Sequence, residues 1–411
     1  MVLERSELAE ASAEPDQGQP EPYLWRMNFG PQHPAMHTTL RLILTLDGER
    51  IVDAVPDIGY LHCGFEKLGE SLDYNQYVVV TDRMNYVSSA ANNVAWHEAV
   101  ERLLGIQPPR RCQYLRVIAA ELARISDHLL CIGAMGLDTG AYTHFMYAFN
   151  PRERIYDIFE ALCGARFTTS YTRVGGLCLD ASPKAIQMIR DFCRDFPKAL
   201  RDVHLLMDRN RIFRDRTKGI GVLTKEEAIN RGCSGPVARA SGVCRDLRKD
   251  EPYLCYRDFD FQVCCATEGD CFARYRVRLA EMEESLKIIQ QAIENLPPGP
   301  VNLGPEYRIV LPEKGAVYQT IEGLITHFEI LMPNRGFPAP CEEIYVATEA
   351  PNGELGFYIV GQGNAVAYRA RCRPPSFIHY ALMPHLIRGH MISDIVAVLG
   401  SLNIIAGELD R

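Results

Sequence analysis

The sequence predicts a mainly helical α+β protein: a helical-bundle core, a β-hairpin region toward the N-terminus and a small antiparallel sheet toward the C-terminus. Three observations carry that prediction. Positions 272, 275, 279, 282, 286, 289, 293 and 296 are all apolar or aromatic. Their alternating three- and four-residue spacing forms one seam along a packed helix. Leu40, Leu42, Leu44 and Leu46 alternate with Arg41, Ile43 and Thr45, and Asp47-Gly48 then supplies a tight turn. Asn352-Gly353 separates two strand-like runs in the same way.

The elements follow in order along the chain. Residues 1–22 are polar and proline-containing, without an apolar stretch of signal-peptide type, and read as a flexible arm. Residues 23–75 form a β-rich region that contains the loop GPQHPAMH, residues 30–37. Its prolines argue against a helix, so His33 and His37 do not form a helical metal pair. A stiff exposed loop ending in an imidazole invites ligation or proton transfer. On the residues alone, a plain surface histidine is the favoured reading.

Residues 76–300 read as the helical core. In RRCQYLRVIAAELARISDHLLCIG the apolar positions 115, 118, 122, 125, 129 and 132 make a single seam. Asn150-Pro151 with Glu153 reads as a helix start that Gly164 closes, and Ser182-Pro183 opens another helix. The seam over 272–296 ends at PPGP and reads as core packing. Residues 301–411 form a β/α region whose last helix begins at Ser393.

Composition excludes several functions. The net charge of −8 argues against nucleic acid as a partner. No apolar run reaches the ~20 residues that span a bilayer; the best, Ile395 to Ala406, is interrupted by Gly400, Ser401 and Asn403. No nucleotide-binding glycine motif, GxSxG or HExxH is present. The fourteen cysteines are scattered without a CxxC, and read as reduced thiols. Cys264, Cys265 and Cys271 cluster in sequence but match no ligand pattern, which favours small buried hydrophobes.

The ordered set GPQHPAMH, IGYLHCGFEK, DRMNY, MGLDTGAYTHFMYAF, YTRVGG, RASGVCRDLRKDEPY, TEAPNGELGFYIV, PPSF and terminal LDR resembles the 49-kDa-type (D-type) subunits of respiratory NADH:quinone oxidoreductase, complex I. The resemblance runs from about residue 23 to 411. Each motif alone is weak, and their order makes the match specific. That family is related to the large subunits of nickel–iron hydrogenases, which implies a hydrogenase-large-subunit-like helical bundle. Hydrogenases hold their metals on two cysteine pairs; the matching positions here are Asn85 with Ser88 and Ile405 with Glu408. These side chains do not replace four thiolates. The resemblance therefore implies no metal and a vacated pocket.

The resemblance further implies a quinone headgroup site built from His37 and Tyr86, with Asp138 beside the histidine. The phenol and the imidazolium would donate protons to the two quinone oxygens, and the carboxylate would favour the imidazolium. His33 is expected to be structural. This chain alone would bind no cofactor. The quinone is the substrate, electrons come from an iron–sulfur cluster on a neighbouring B-type subunit, and NADH and FMN belong to other members of the complex. Expected partners are that cluster-binding subunit, the C- and I-type subunits of the peripheral arm, and the H-type subunit of the membrane arm. The expected location is peripheral, on the cytoplasmic side of a bacterial inner membrane. Activity is expected of the complex, not of the isolated chain. Charge release at Asp138 on quinol formation is expected to start coupling to proton pumping. Thr168 stands where many relatives have histidine, and Cys63 where arginine or threonine is common. Without the resemblance, Tyr86 reads as a buried structural tyrosine and Asp138 as a helix-end residue. Two other readings are an energy-converting hydrogenase large subunit, which the absent cysteines oppose, and a non-catalytic scaffold of a membrane redox complex.

Overall fold

The computed structural model describes residues 23–332 and 336–411, so the arm expected over 1–22 lies outside the described residues. Three antiparallel strands open the described chain: β1 (Leu24–Phe29), β2 (Arg41–Asp47) and β3 (Arg50–Asp57). The leucine alternation puts Leu42, Leu44 and Leu46 on the buried face, and Asp47 pairs with Arg50 across the turn. β1 pairs with β2 from Leu24–Asp47 to Phe29–Leu42 and was not apparent in the sequence pattern. Its residues are largely exposed, so it carries little hydrophobic periodicity.

Five long helices follow: α1 (Ser89–Leu104), α2 (Arg110–Asp138), α3 (Tyr142–Cys163), α4 (Pro183–Met207) and α5 (Cys271–Glu294). Ser182 caps α4, its side chain accepting from the Ala185 amide at 3.2 Å. The seam of α5 is buried through Tyr275, Leu279, Met282, Leu286, Ile289 and Ile293. Helix α2 exceeds its expected single seam. Arg116, Glu121, Arg124, Asp127 and His128 are also buried, so the helix is enclosed on all sides.

Two sequence expectations are corrected. Asn150-Pro151 does not start a helix; α3 begins at Tyr142 and runs through Pro151, ending at left-handed Gly164 as expected. Proline removes one N–H bond, and the packed aromatic turn before it sustains the helix. The cysteines are not all free: Cys244 and Cys265 form a disulfide with a Cα–Cα separation of 5.8 Å.

Near the C-terminus, β4 (Glu343–Ala350), β5 (Gly353–Val360) and β6 (Arg369–Arg373) form an antiparallel sheet in that order. It packs on α1 through Trp96, Val100, Leu355 and Phe357. Helices α6 (Ile392–Leu402) and α7 (Ala406–Asp410) complete the chain. Helix α6 starts one residue before Ser393, and α7 is an addition to the sequence reading. Leu42 and Leu44 share one core with Tyr380, Leu386, Val398 and Leu402, which ties the first strands to the last helices. Asp410 reinforces that closure by accepting from the Gly59 and Leu61 amides at 3.0 and 2.7 Å.

Candidate functional site

The loop at 30–37 becomes a single tight turn. Pro34 begins a three-residue 3-10 turn, and the His33 ring accepts from the Ala35 amide at 3.2 Å. His33 also lies 4.3 Å, centroid to centroid, from Phe29. Its work is local, in capping and packing. Met36 is fully buried and pins the turn, while His37 ends it in a left-handed conformation at φ 60°. That backbone is uncommon outside glycine, and histidine is among the residues that adopt it more readily than most.

His37 meets Asp138, the last residue of α2: Nε2 and Oδ2 are 2.8 Å apart. The ring N–H is not aligned with that oxygen, which otherwise has no hydrogen-bond partner. The contact is therefore electrostatic in character and leaves the carboxylate under-satisfied. Gly400 of α6 makes room for it. A Cβ there would stand 3.2 Å from Asp138 Oδ2 and 3.6 Å from His37 Cε1.

Tyr86 sits on a second short turn, Tyr86–Ser88. The Asn85 side chain caps it, accepting from the Val87 amide at 3.2 Å. Thr38, the residue after His37, lies near the Tyr86 hydroxyl. The chain segment that brings His37 into contact with Asp138 thus also passes near Tyr86. Burial raises the Tyr86 phenol above its usual pKa; Thr38 opposes the shift and the Asp127 carboxylate adds to it. The phenol therefore keeps its proton at neutral pH. Phe167 lies beside the ring, with centroids 6.1 Å apart, and Thr168 follows it. Cys63 is exposed.

Behind this rim the four positions matched to hydrogenase cysteines are buried: Asn85 at 1 %, Ser88 at 0 %, Ile405 at 5 % and Glu408 at 1 % exposure. Where a vacated pocket was expected, polar side chains close on one another. Asp127 accepts from the Asn85 amide at 3.1 Å and from the Asn403 amide at 2.7 Å. Asn403 also donates to Asn352 Oδ1 at 2.6 Å, and Ser376 Oγ donates to Glu408 Oε2 at 2.6 Å. Amide–carboxylate pairing fills space that thiolates would have to share with a metal. Among the described residues, no group of three or more His, Cys, Asp or Glu side chains is placed to hold a metal ion.

Sequence reasoning missed Asp127, Asn352, Ser376 and Gly400. Gly400 and Asn403 had registered only as interruptions of an apolar run. A polar residue breaking such a run is the available signal, since burial of an amide demands a partner.

Comparison with known proteins agrees with this architecture. Residues 138–411 match the model of the family described as the respiratory-chain NADH dehydrogenase 49-kDa subunit. The class is thus a component of a respiratory-chain oxidoreductase. More particularly, the chain belongs to the 49-kDa family, that of the D-type subunits of NADH-quinone oxidoreductase. It is 48 % identical over 394 residues to the D-type NADH-quinone oxidoreductase subunit of Methylacidiphilum infernorum, covering 96 % of this chain and 94 % of that one. It is 49 % identical to a D-type NADH-quinone oxidoreductase subunit of Chloroherpeton thalassium, covering 94 % of this chain and 87 % of the relative. The corresponding protein of Flavobacterium psychrophilum is 49 % identical, with 93 % of each chain covered. No helix among the described residues is long and apolar enough to cross a membrane.

Proposed function

We propose that this chain forms the quinone headgroup site of a proton-pumping NADH:quinone oxidoreductase, with His37 and Tyr86 as proton donors and Asp138 as the partner of His37. The single observation that carries the reading is the contact of His37 with Asp138 at 2.8 Å, with Thr38, the residue after His37, close enough to Tyr86 to oppose the rise of its phenol pKa. Quinone takes two electrons and two protons to become quinol. The electrons enter from the iron–sulfur cluster of the adjoining B-type subunit, reduced in turn from NADH through FMN elsewhere in the complex. Tyr86 supplies one proton to one ring oxygen and protonated His37 supplies the other. After transfer, Asp138 loses its cationic neighbour. This uncompensated charge is the event that starts coupling toward the membrane arm.

The surface supports a place within an assembly. Tyr318, Ile321, Ile325, Phe328 and Leu331 are exposed on adjoining helical segments, and such a patch marks an interaction face. The proposed neighbours are the B-, C- and I-type subunits of the peripheral arm and the H-type subunit of the membrane arm, which would hold the chain peripherally on the cytoplasmic side.

The Tyr86→Phe variant, assembled in the complex, tests the reading. It removes one hydroxyl and preserves the ring. Quinone reduction is expected to fall about 10²-fold, as for loss of a positioned general acid, while NADH oxidation by an artificial acceptor persists. Unimpaired quinone reduction would remove Tyr86 from the mechanism.

A further inference from the structure

Glu408 is a buried carboxyl that the proton-donor scheme does not use. It is 1 % exposed; Ser376 donates to its Oε2, and the Asn352 side chain stands beside it. Its Oε1 has no partner, and no cation lies within ion-pair distance of it among the described residues. The charged and titratable groups turned toward it are Asp127 of α2, and Cys372 and Arg373 of β6; Arg373 is engaged instead by the Glu354 carbonyl at 2.6 Å. Asp127, in contrast, receives an amide N–H on each oxygen, an arrangement that suits its ionised form. Two carboxyls in one dry cluster do not both ionise readily. Burial, with the Asp127 charge adding to it, lifts Glu408 to about 7, against the opposing effects of Ser376, Asn352 and Arg373.

The polar cluster beside Glu408 leads to the proposed donor. Asn403 donates to both Asn352 and Asp127, and Asp127 holds the Asn85 amide. Asn85 Oδ1 in turn caps the turn that carries Tyr86. We infer that Glu408 is a positioning residue for Tyr86: it works in its protonated form, leaving Asp127 as the one negative charge that anchors Asn85. If Glu408 ionises, its unpartnered oxygen competes with Asp127 for the cluster's amides. Asn85 then loses its anchor, and the Tyr86 hydroxyl shifts from its place near Thr38. This inference rests on the reading of Tyr86 as a donor.

The test is the pH profile of quinone reduction by the assembled complex with Glu408→Gln and, separately, Ser376→Ala. The unsubstituted complex is expected to lose activity, along an alkaline limb, as pH rises through about 7, and the Gln variant to retain about tenfold more of its activity near pH 8. Ser376→Ala removes the bond that favours the ionised form and should move the limb to higher pH. An unchanged limb in both variants overturns the inference. So does failure of the Gln variant to assemble, because a neutral isostere must be accepted where the neutral acid works. Full activity of Tyr86→Phe alongside a changed limb in Glu408→Gln would instead fault the donor reading and leave the protonation of Glu408 standing.

Discussion

The two halves of α2 solve the burial of charge in opposite ways. In the first half every charge is matched. Arg116 makes two bonds to Glu101, at 2.7 and 2.6 Å. Glu121 accepts from Arg124, Arg248, Tyr256 and Ser285. Burial alone would raise the Glu121 carboxyl, but the two arginines hold it down to about 2. In the second half His128 still pairs with Glu281 at 2.9 Å, but Asp127 is met only by amides, and Asp138 has one misaligned contact with a partly exposed histidine. Saturated ion pairs resist any change of protonation. Under-matched groups allow it at modest cost, and they lie where the proton donors are proposed. One helix therefore serves as strut and as site, and its pairing pattern marks the change.

Substitutions can break or sharpen that contrast. The largest effect is expected from Arg116→Met, which leaves Glu101 buried at 1 % exposure without its cation. The cost is about 3–5 kcal/mol, read as loss of this chain from the complex or a lower urea midpoint. Stability loss comparable to that of a surface substitution would void the strut assignment. Next comes Tyr86→Phe, with its ~10² loss of quinone reduction and retained assembly. The contrast weakens if assembly fails there instead of activity.

A smaller effect is expected from Glu408→Gln on stability. An acid whose folded-state pKa is raised contributes stability that is fully present below its unfolded value. That contribution is lost as pH climbs through about 7. Thermal resistance of the intact complex should therefore decline between about pH 5 and about pH 8, by on the order of 2 kcal/mol within this chain, and the Gln variant should lack that decline. Parallel declines in both would exclude Glu408 as the source. Asp138→Asn keeps the shape and removes the charge beside His37. About a tenfold loss of quinone-reductase kcat with little change in thermal midpoint is expected, the signature of the under-matched half. A thermal loss without a kinetic one would place Asp138 with the struts.

Much of the fold was legible because it follows from periodicity. The leucines at 42, 44 and 46 define the buried face of β2, and the 272–293 seam supplies the core contacts of α5. Pro151 misled because proline is a frequent first-turn residue, whereas α3 tolerates it in the interior. The charges along α2 hid its full burial, since Arg116 and Glu121 read as solvent-facing until Glu101 and Arg248 are brought from elsewhere in the chain. The same non-locality governs the candidate site. His37, Tyr86 and Asp138 could be named through ordered motifs of a family, but the meeting of His37 with Asp138 depends on α6 presenting Gly400 against the two. Asp127 and Glu408 carried no local signal; each gains its meaning from side chains distant in sequence, Asn85 and Asn403 for the first and Ser376 for the second.

The central claim is that the His37 and Tyr86 turns enclose one quinone headgroup. It is tested most directly by photolabelling the assembled complex with a quinone bearing a reactive group on its ring, then mapping the adducts by peptide mass spectrometry with and without excess unlabelled quinone. Competed labels are expected on the peptides containing residues 30–41 and 84–88. Competed labels confined to other parts of this chain, or to its neighbours in the complex, would contradict the claim.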